Sequence, residues 1–288
     1  MTACALWLVV VAVSQQQPPV FRTEAEVVRV EVRVSRGDEP VLGLTAEDFE
    51  LRDNGAPQHI NPVFLERVPL DVLLVLDLSA SVQGRKLVAL REAASAFLEG
   101  LEEGDVAGLL CFSSRFGLGQ APTTRLAEVR RQLLEADSNK GSTALRDAVF
   151  AALRVQDSSD RRTALVVFSD GIDTASWLAP EEVVDAAKRS SPIVYVVRML
   201  DPSDPPGDSF LDEVAMATGG RVWSAESGDD LGDKFLDVLT DIRTRYLLSY
   251  TPQGAEPGGW HTLRVRLRGK RGDVLARPGY FRSEPGPR

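Results

Sequence analysis

The chain has 288 residues, 43% of them hydrophobic, enough to bury one large core or two modest ones. Its formal charge of −9 argues against nucleic acid or anionic lipid as the principal partner, because nothing over most of the surface would offset phosphate repulsion. The basic stretch Arg264, Arg266, Arg268, Lys270 and Arg271 is a local exception, and it reads as a solvated strand face.

Residues 3–13 are almost entirely apolar and lead through Ala12-Val13-Ser14 into Gln15-Gln16-Gln17-Pro18-Pro19. This pattern predicts a signal peptide over residues 1–14, cleavage after Ser14, and an exported protein, periplasmic or extracellular, with a bacterial envelope favoured. The run is shorter than the about 20 residues of a permanent span, so no membrane insertion is expected after cleavage. An uncleaved anchor is the alternative, since no Lys or Arg precedes the apolar run, and Cys4 is misplaced for a lipoprotein cysteine. Cleavage leaves Cys111 alone, in the apolar pattern Val106–Phe112, where a buried small hydrophobe is expected. An exported chain without a disulfide must rely on its core.

Residues 15–66 form an expected N-terminal β segment. Val27 to Val34 alternates Val with Arg or Glu, the period of a half-exposed strand. A turn follows at Arg36-Gly37-Asp38-Glu39-Pro40, then short strands at Val41–Leu44 and Phe49–Leu51, then a second turn at Asp53-Asn54-Gly55. The tripeptide Arg-Gly-Asp at 36–38 and again at 271–273 is read as turn chemistry.

The rhythm changes over residues 67–246. Val72-Leu73-Leu74-Val75-Leu76 is apolar without alternation, as in a strand covered on both faces. Leu87, Leu90, Ala94, Phe97, Leu98 and Leu101 share a helical face, and strands are expected at 105–112, 163–168, 193–197 and 221–223. Helices are expected at 143–154, 180–189, from Ser209 to Gly219-Gly220, and from Leu231 to Arg245. Strands alternating with helices predict an α/β fold, a doubly wound and mostly parallel sheet, whose ligands sit at strand carboxyl ends. The chain then passes almost without a linker into a C-terminal β segment, 247–288, with alternation at His261–Leu267 and a turn at Gly272-Asp273. Val28, Val30, Val32 and Val34 need a partner face and Leu263, Val265 and Leu267 offer one, so the two β segments are expected to pair into one small β-sandwich.

The first buried run ends in Asp77-Leu78-Ser79-Ala80-Ser81, the strand at 163–168 ends in Ser169-Asp170-Gly171, and Gly141-Ser142-Thr143-Ala144-Leu145 opens a helix between them. Each piece alone would equally fit a helix cap or turn. Together they supply two Asp, two Ser and one Thr, and an all-oxygen set favours Mg²⁺, Mn²⁺ or Ca²⁺ over Zn²⁺.

This ordered set resembles the metal-ion-dependent adhesion site of von Willebrand factor type A domains, over roughly residues 70 to 246. The flanking β segments resemble the bacterial subgroup of that family. The resemblance implies Ser79, Ser81 and Thr143 as direct or near-direct ligands of one divalent ion, with Asp77 and Asp170 acting partly through water. It also implies that strands 72–76 and 163–168 lie side by side. The expected function is metal-dependent protein binding in which a partner supplies an Asp or Glu carboxylate, with no catalysis and no catalytic residues. A scaffold with a structural ion is one alternative. A Mg²⁺-dependent phosphotransferase is another, weakened because Ser79 stands where such enzymes place a second Asp. Lys140 is the nearest phosphate-clamping candidate. Ser169 lies outside any G-x-S-x-G elbow, and His59 and His261 sit in β segments as ordinary polar residues. Asp173 is read as a loop turn, and Asp147 as favouring a helix N-terminus electrostatically.

Overall fold

The computed structural model describes residues 27–61, 63, 68–138, 141–155, 161–200, 209–255 and 258–282. The expected signal peptide, residues 15–26 and Lys140 lie outside them. In chain order the elements are β1 (Val28–Arg36), β2 (Glu39–Pro40), β3 (Phe49–Asp53), β4 (Ala56–Gln58), β5 (Leu70–Asp77), α1 (Arg85–Glu99), β6 (Val106–Phe112), β7 (Phe116–Thr123), α2 (Leu126–Glu135), α3 (Leu145–Val155), β8 (Arg162–Ser169), α4 (Pro180–Lys188), β9 (Ile193–Met199), α5 (Phe210–Thr218), β10 (Val222–Ala225), α6 (Gly228–Arg243), β11 (Tyr246–Tyr250), β12 (Gly259–Leu267), β13 (Asp273–Ala276) and β14 (Gly279–Arg282).

The six-stranded sheet runs β10-β9-β8-β5-β6-β7, parallel throughout except for the antiparallel β6–β7 pair. The unalternating run in β5 is explained by two cores rather than one. Val72, Leu74 and Leu76 point into a cluster with Leu90 and Phe97 of α1 and Phe235 and Val238 of α6. Leu73 and Val75 point the other way, among Leu145 and Val149 of α3, Val183 of α4 and Val214 of α5. Each such side chain contributes about 1.5–3 kcal/mol by leaving water. The chain leaves β5 toward β6 and returns on the other side with β8, so the order reverses between β5 and β8, and Leu76 pairs with Phe168 there.

Two further sheets, β11-β1-β13 with β2 on β1, and β14-β12-β3-β4, face each other. Val28, Val30, Val32 and Val34 meet Phe49, Leu51, Tyr246, Leu248, Tyr250 and Leu263 between them, with Val265 and Leu267 packed at the margin. The N- and C-terminal segments therefore interleave strand by strand. The other face of β1 is polar and meets the α/β core through ion pairs: Glu31 with Arg162 at 3.0 Å and Arg33 with Asp241 at 2.7 Å. Asp241 also accepts from the Tyr195 hydroxyl at 3.0 Å and from Arg245 Nε at 2.9 Å.

Several details depart from the sequence pattern. Val41–Leu44 is not a strand; Gly43 has φ +77°, and the Tyr246 hydroxyl serves this backbone instead, donating to Val41 O at 2.7 Å and accepting from Leu44 N at 3.2 Å. The reversal expected at Gly272-Asp273 falls earlier, at Arg268-Gly269, and Asp273 already begins β13. Neither β7 nor α2 is announced by a hydrophobic pattern, because β7 is an exposed edge strand and only Val129 and Leu133 of α2 are buried. The Gly219-Gly220 helix stop also sets a close approach: a Cβ on Gly219 would meet Arg277 N at 2.5 Å, and one on Gly220 would meet Val194 O at 1.8 Å. Cys111 is half-buried rather than fully enclosed, and burial pushes its thiol up to about 12. Among the described residues no helix is long and apolar enough to cross a membrane.

Candidate metal centre

Four loops meet where β5 and β8 end. Asp77, the last residue of β5, is fully buried. Ser79 N donates to its Oδ1 at 2.9 Å and the Ser169 hydroxyl donates to its Oδ2 at 2.8 Å, so the loop curls back on its own carboxylate. Leu78 N donates to Phe112 O at 2.7 Å, fixing the loop to the end of β6. The Ser79 and Ser81 hydroxyls lie 3.1 Å apart. Ala80 N donates to Gly141 O at 3.2 Å and Ala144 N to Ser113 O at 2.7 Å, which draws in the segment that carries Thr143. Thr143 is buried, and Asp170 is half-buried with its Oδ1 accepting from Ile172 N at 3.0 Å.

Burial pushes the Asp77 carboxyl up to about 6; the Ser79 and Ser169 hydrogen bonds oppose that rise, and the Asp170 charge adds to it. Two carboxylates are thus close enough to repel, with hydroxyls beside them. Among the described residues no group of three His, Cys, Asp or Glu side chains could hold a metal. What this edge offers a cation is two carboxylates and three hydroxyls, Asp77, Asp170, Ser79, Ser81 and Thr143, a donor set that fits a hard divalent ion and not zinc.

Other residues support this edge without sequence signals of their own. Thr143 N donates to Thr174 Oγ1 at 2.8 Å, and Thr143 O accepts from Thr174 N at 2.9 Å and Ala175 N at 3.0 Å. Asp173 pairs with Arg146 at 3.0 Å and also accepts from Arg146 N, Ser176 N and the Ser176 hydroxyl. Burial works against its ionisation, yet these bonds hold its carboxyl below the usual carboxylate range. Asp147 does more than favour the helix end: it accepts from Trp177 N at 3.0 Å and Leu178 N at 3.0 Å. The 173–178 loop is therefore braced, while the Trp177 side chain it carries is 95% exposed. A Trp directly after Asp173-Thr174-Ala175-Ser176 was the available signal. His59 is exposed, whereas His261 is not an ordinary polar position: it is fully buried in the sandwich, 2.7 Å from Asp53.

Residues 72–172 match the family model of the von Willebrand factor type A domain. The inter-alpha-trypsin inhibitor heavy chain H4 of Bos taurus is 23% identical over 243 residues, covering 78% of this chain and 26% of its own length. This chain therefore spans about a quarter of that relative. A UPF0353 protein of Mycobacterium avium is 27% identical over 213 residues, 63% of each chain. Among solved structures, a von Willebrand factor type A protein from Catenulispora acidiphila gives a TM-score of 0.53 at 11% identity, covering 92% of this chain and 75% of that one. The vWF domain of the type V pili tip protein Mfa5 from Porphyromonas gingivalis gives 0.50 at 11% identity, covering 62% and 97%.

Proposed function

We propose that the von Willebrand factor type A domain built on β5–β10 and α1–α6 is a metal-dependent protein-binding module of an exported protein. Asp77, Ser79, Ser81, Thr143 and Asp170 would hold one Mg²⁺, Mn²⁺ or Ca²⁺, and a partner protein would supply an Asp or Glu carboxylate. The observation that carries this reading is the buried Asp77 carboxylate among hydroxyls at the reversal of strand order, within reach of the Asp170 charge.

A bound ion would supply an electron-poor centre with a position open to an anionic oxygen, since most of its direct ligands would be neutral hydroxyls. The chain's own residues do the positioning. Ser169 and Ser79 N fix the Asp77 carboxylate, and the Thr174 and Ala175 bonds hold the backbone of Thr143. Asp147 and Asp173 brace the loop that displays Trp177, a ring of the kind that anchors interfaces. Binding is favoured over phosphoryl transfer because Ser79 offers no general acid, and over hydrolysis because His261 is enclosed with Asp53 in the sandwich.

Thermal unfolding with Mg²⁺ and with chelator tests the assignment. At about 100 times Kd the metal should stabilise the fold by about 2.7 kcal/mol. Asp77→Ala should lose that increment, and an equal increment in the variant refutes the site. A pull-down from an envelope fraction, with Mg²⁺ and with chelator, tests the partner.

A further inference from the structure

At the end of the parallel sheet where β8 and β9 begin, opposite the Asp77 edge, the sandwich and the α/β core flank an open cleft of about 470 Å³. Among the described residues its wall carries four guanidinium side chains, Arg29, Arg161, Arg162 and Arg277, and one carboxylate, Glu31. Such an excess of positive charge in a chain of net charge −9 is not a sample of the average composition.

The two more enclosed arginines are held mostly by neutral partners. Arg162, 4% exposed, donates to Ile242 O and Arg245 O, pairs with Glu31, and keeps a buried Nε that meets no acceptor. Arg277 donates to Gly279 O at 2.9 Å, Ser190 O at 2.9 Å and Lys188 O at 3.2 Å, all carbonyls, and burial pulls it below the ordinary guanidinium value. Carbonyls orient the Arg277 fork without neutralising it, and desolvated positive charge without its anion is costly. Arg161 likewise donates to Gly104 O. The hydroxyl-bearing Thr163, Ser191 and Thr218 also line the cleft.

We propose that this cleft is a binding site for a tetrahedral oxyanion, a phosphate or sulfate group. Several guanidinium forks converging from separate segments suit three or four equivalent oxygens better than a planar carboxylate. Arg29 comes from β1, Arg161 and Arg162 from the start of β8, and Arg277 from the link between β13 and β14. A ligand there would touch both the sandwich and the core, and its binding does not depend on the metal reading.

The test is calorimetric titration of the full chain, kept in chelator, with inorganic phosphate, pyrophosphate and sulfate. Saturable one-site binding tighter than about 1 mM is expected for at least one of them. The order of phosphate and sulfate then identifies the group recognised. Arg161→Ala and Arg29→Ala should each weaken it about tenfold, equivalent to about 1.4 kcal/mol. Arg264→Ala with Arg266→Ala, on the exposed face of β12, should leave it unchanged. Absence of saturable binding with all three anions overturns the proposal, and so does an equal loss in the β12 double variant, which would make the attraction diffuse.

Discussion

Among the described residues two aspartates, Asp53 and Asp77, are completely buried at strand ends, and they have opposite surroundings. Asp53 closes β3 inside the sandwich: His261 Nδ1 lies 2.7 Å from its Oδ1, and the Tyr250 and Tyr280 hydroxyls both donate to its Oδ2 at 2.9 Å. Those partners belong to β12, β11 and β14, so one carboxylate ties strands of both sheets and both chain segments. Asp77 receives hydrogen bonds from Ser79 and from the Ser169 hydroxyl, and around it stand small side chains on loops that reach the surface. A buried carboxylate covered by aromatic rings has no room for a ligand and acts as a structural knot. One surrounded by serines keeps space beside it.

The largest effect that separates the two is on stability. Asp53→Ala leaves His261 and two tyrosine hydroxyls without their acceptor and is expected to cost about 3–5 kcal/mol in denaturant unfolding. A cost near that of Asp77→Ala in chelator would erase the distinction. On the binding side, Trp177→Ala should weaken a partner recovered with Mg²⁺ by about 2 kcal/mol and leave the metal-induced thermal shift intact. Thr143→Ala removes one neutral ligand, so metal affinity should fall about tenfold, about 1.4 kcal/mol, with little change in melting temperature in chelator.

The smallest and most local test uses alkali. Burial raises both Tyr250 and Tyr280, the latter to about 12 against an ordinary value of about 10. The folded state keeps protons that the unfolded chain releases. This contribution is therefore whole below about pH 10 and is lost as pH rises toward 12. Tyrosinate absorbance and near-ultraviolet circular dichroism should change together in that window, and Tyr280→Phe should reduce the loss. Unchanged alkaline behaviour in that variant would remove Tyr280 from the knot.

The sequence was most legible where packing leaves a local signature. Val72–Leu76 announces a strand buried on both sides, and the residues at its exit follow from that placement. Val28–Val34 announces a strand with one apolar face, and Asn54-Gly55, both at positive φ, makes the two-residue turn that joins β3 to β4. What stayed hidden is what local pattern does not encode. The edge strand β7 needs little apolar surface, and the bracing of the Trp177 loop by Asp147 spans 30 residues. The Asp53–His261 contact joins positions 208 apart, so His261 looks like any polar residue until the strands are assembled.

The place of β1 between β11 and β13 also fixes an order of events during synthesis. Residues 28–36 emerge before their partners at 246–250 and 273–276, which come more than two hundred positions later. At a ribosomal pace of about 5–20 residues per second, that wait is on the order of tens of seconds. The α/β sheet has all its strands within 70–225 and can close first, leaving β1 with open edges beyond its two-residue pairing with β2. Arg29, Glu31 and Arg33, alternating with its valines, keep such an edge from recruiting other chains while it waits. The charges that later seat the sandwich on the core thus guard the nascent chain before either partner exists.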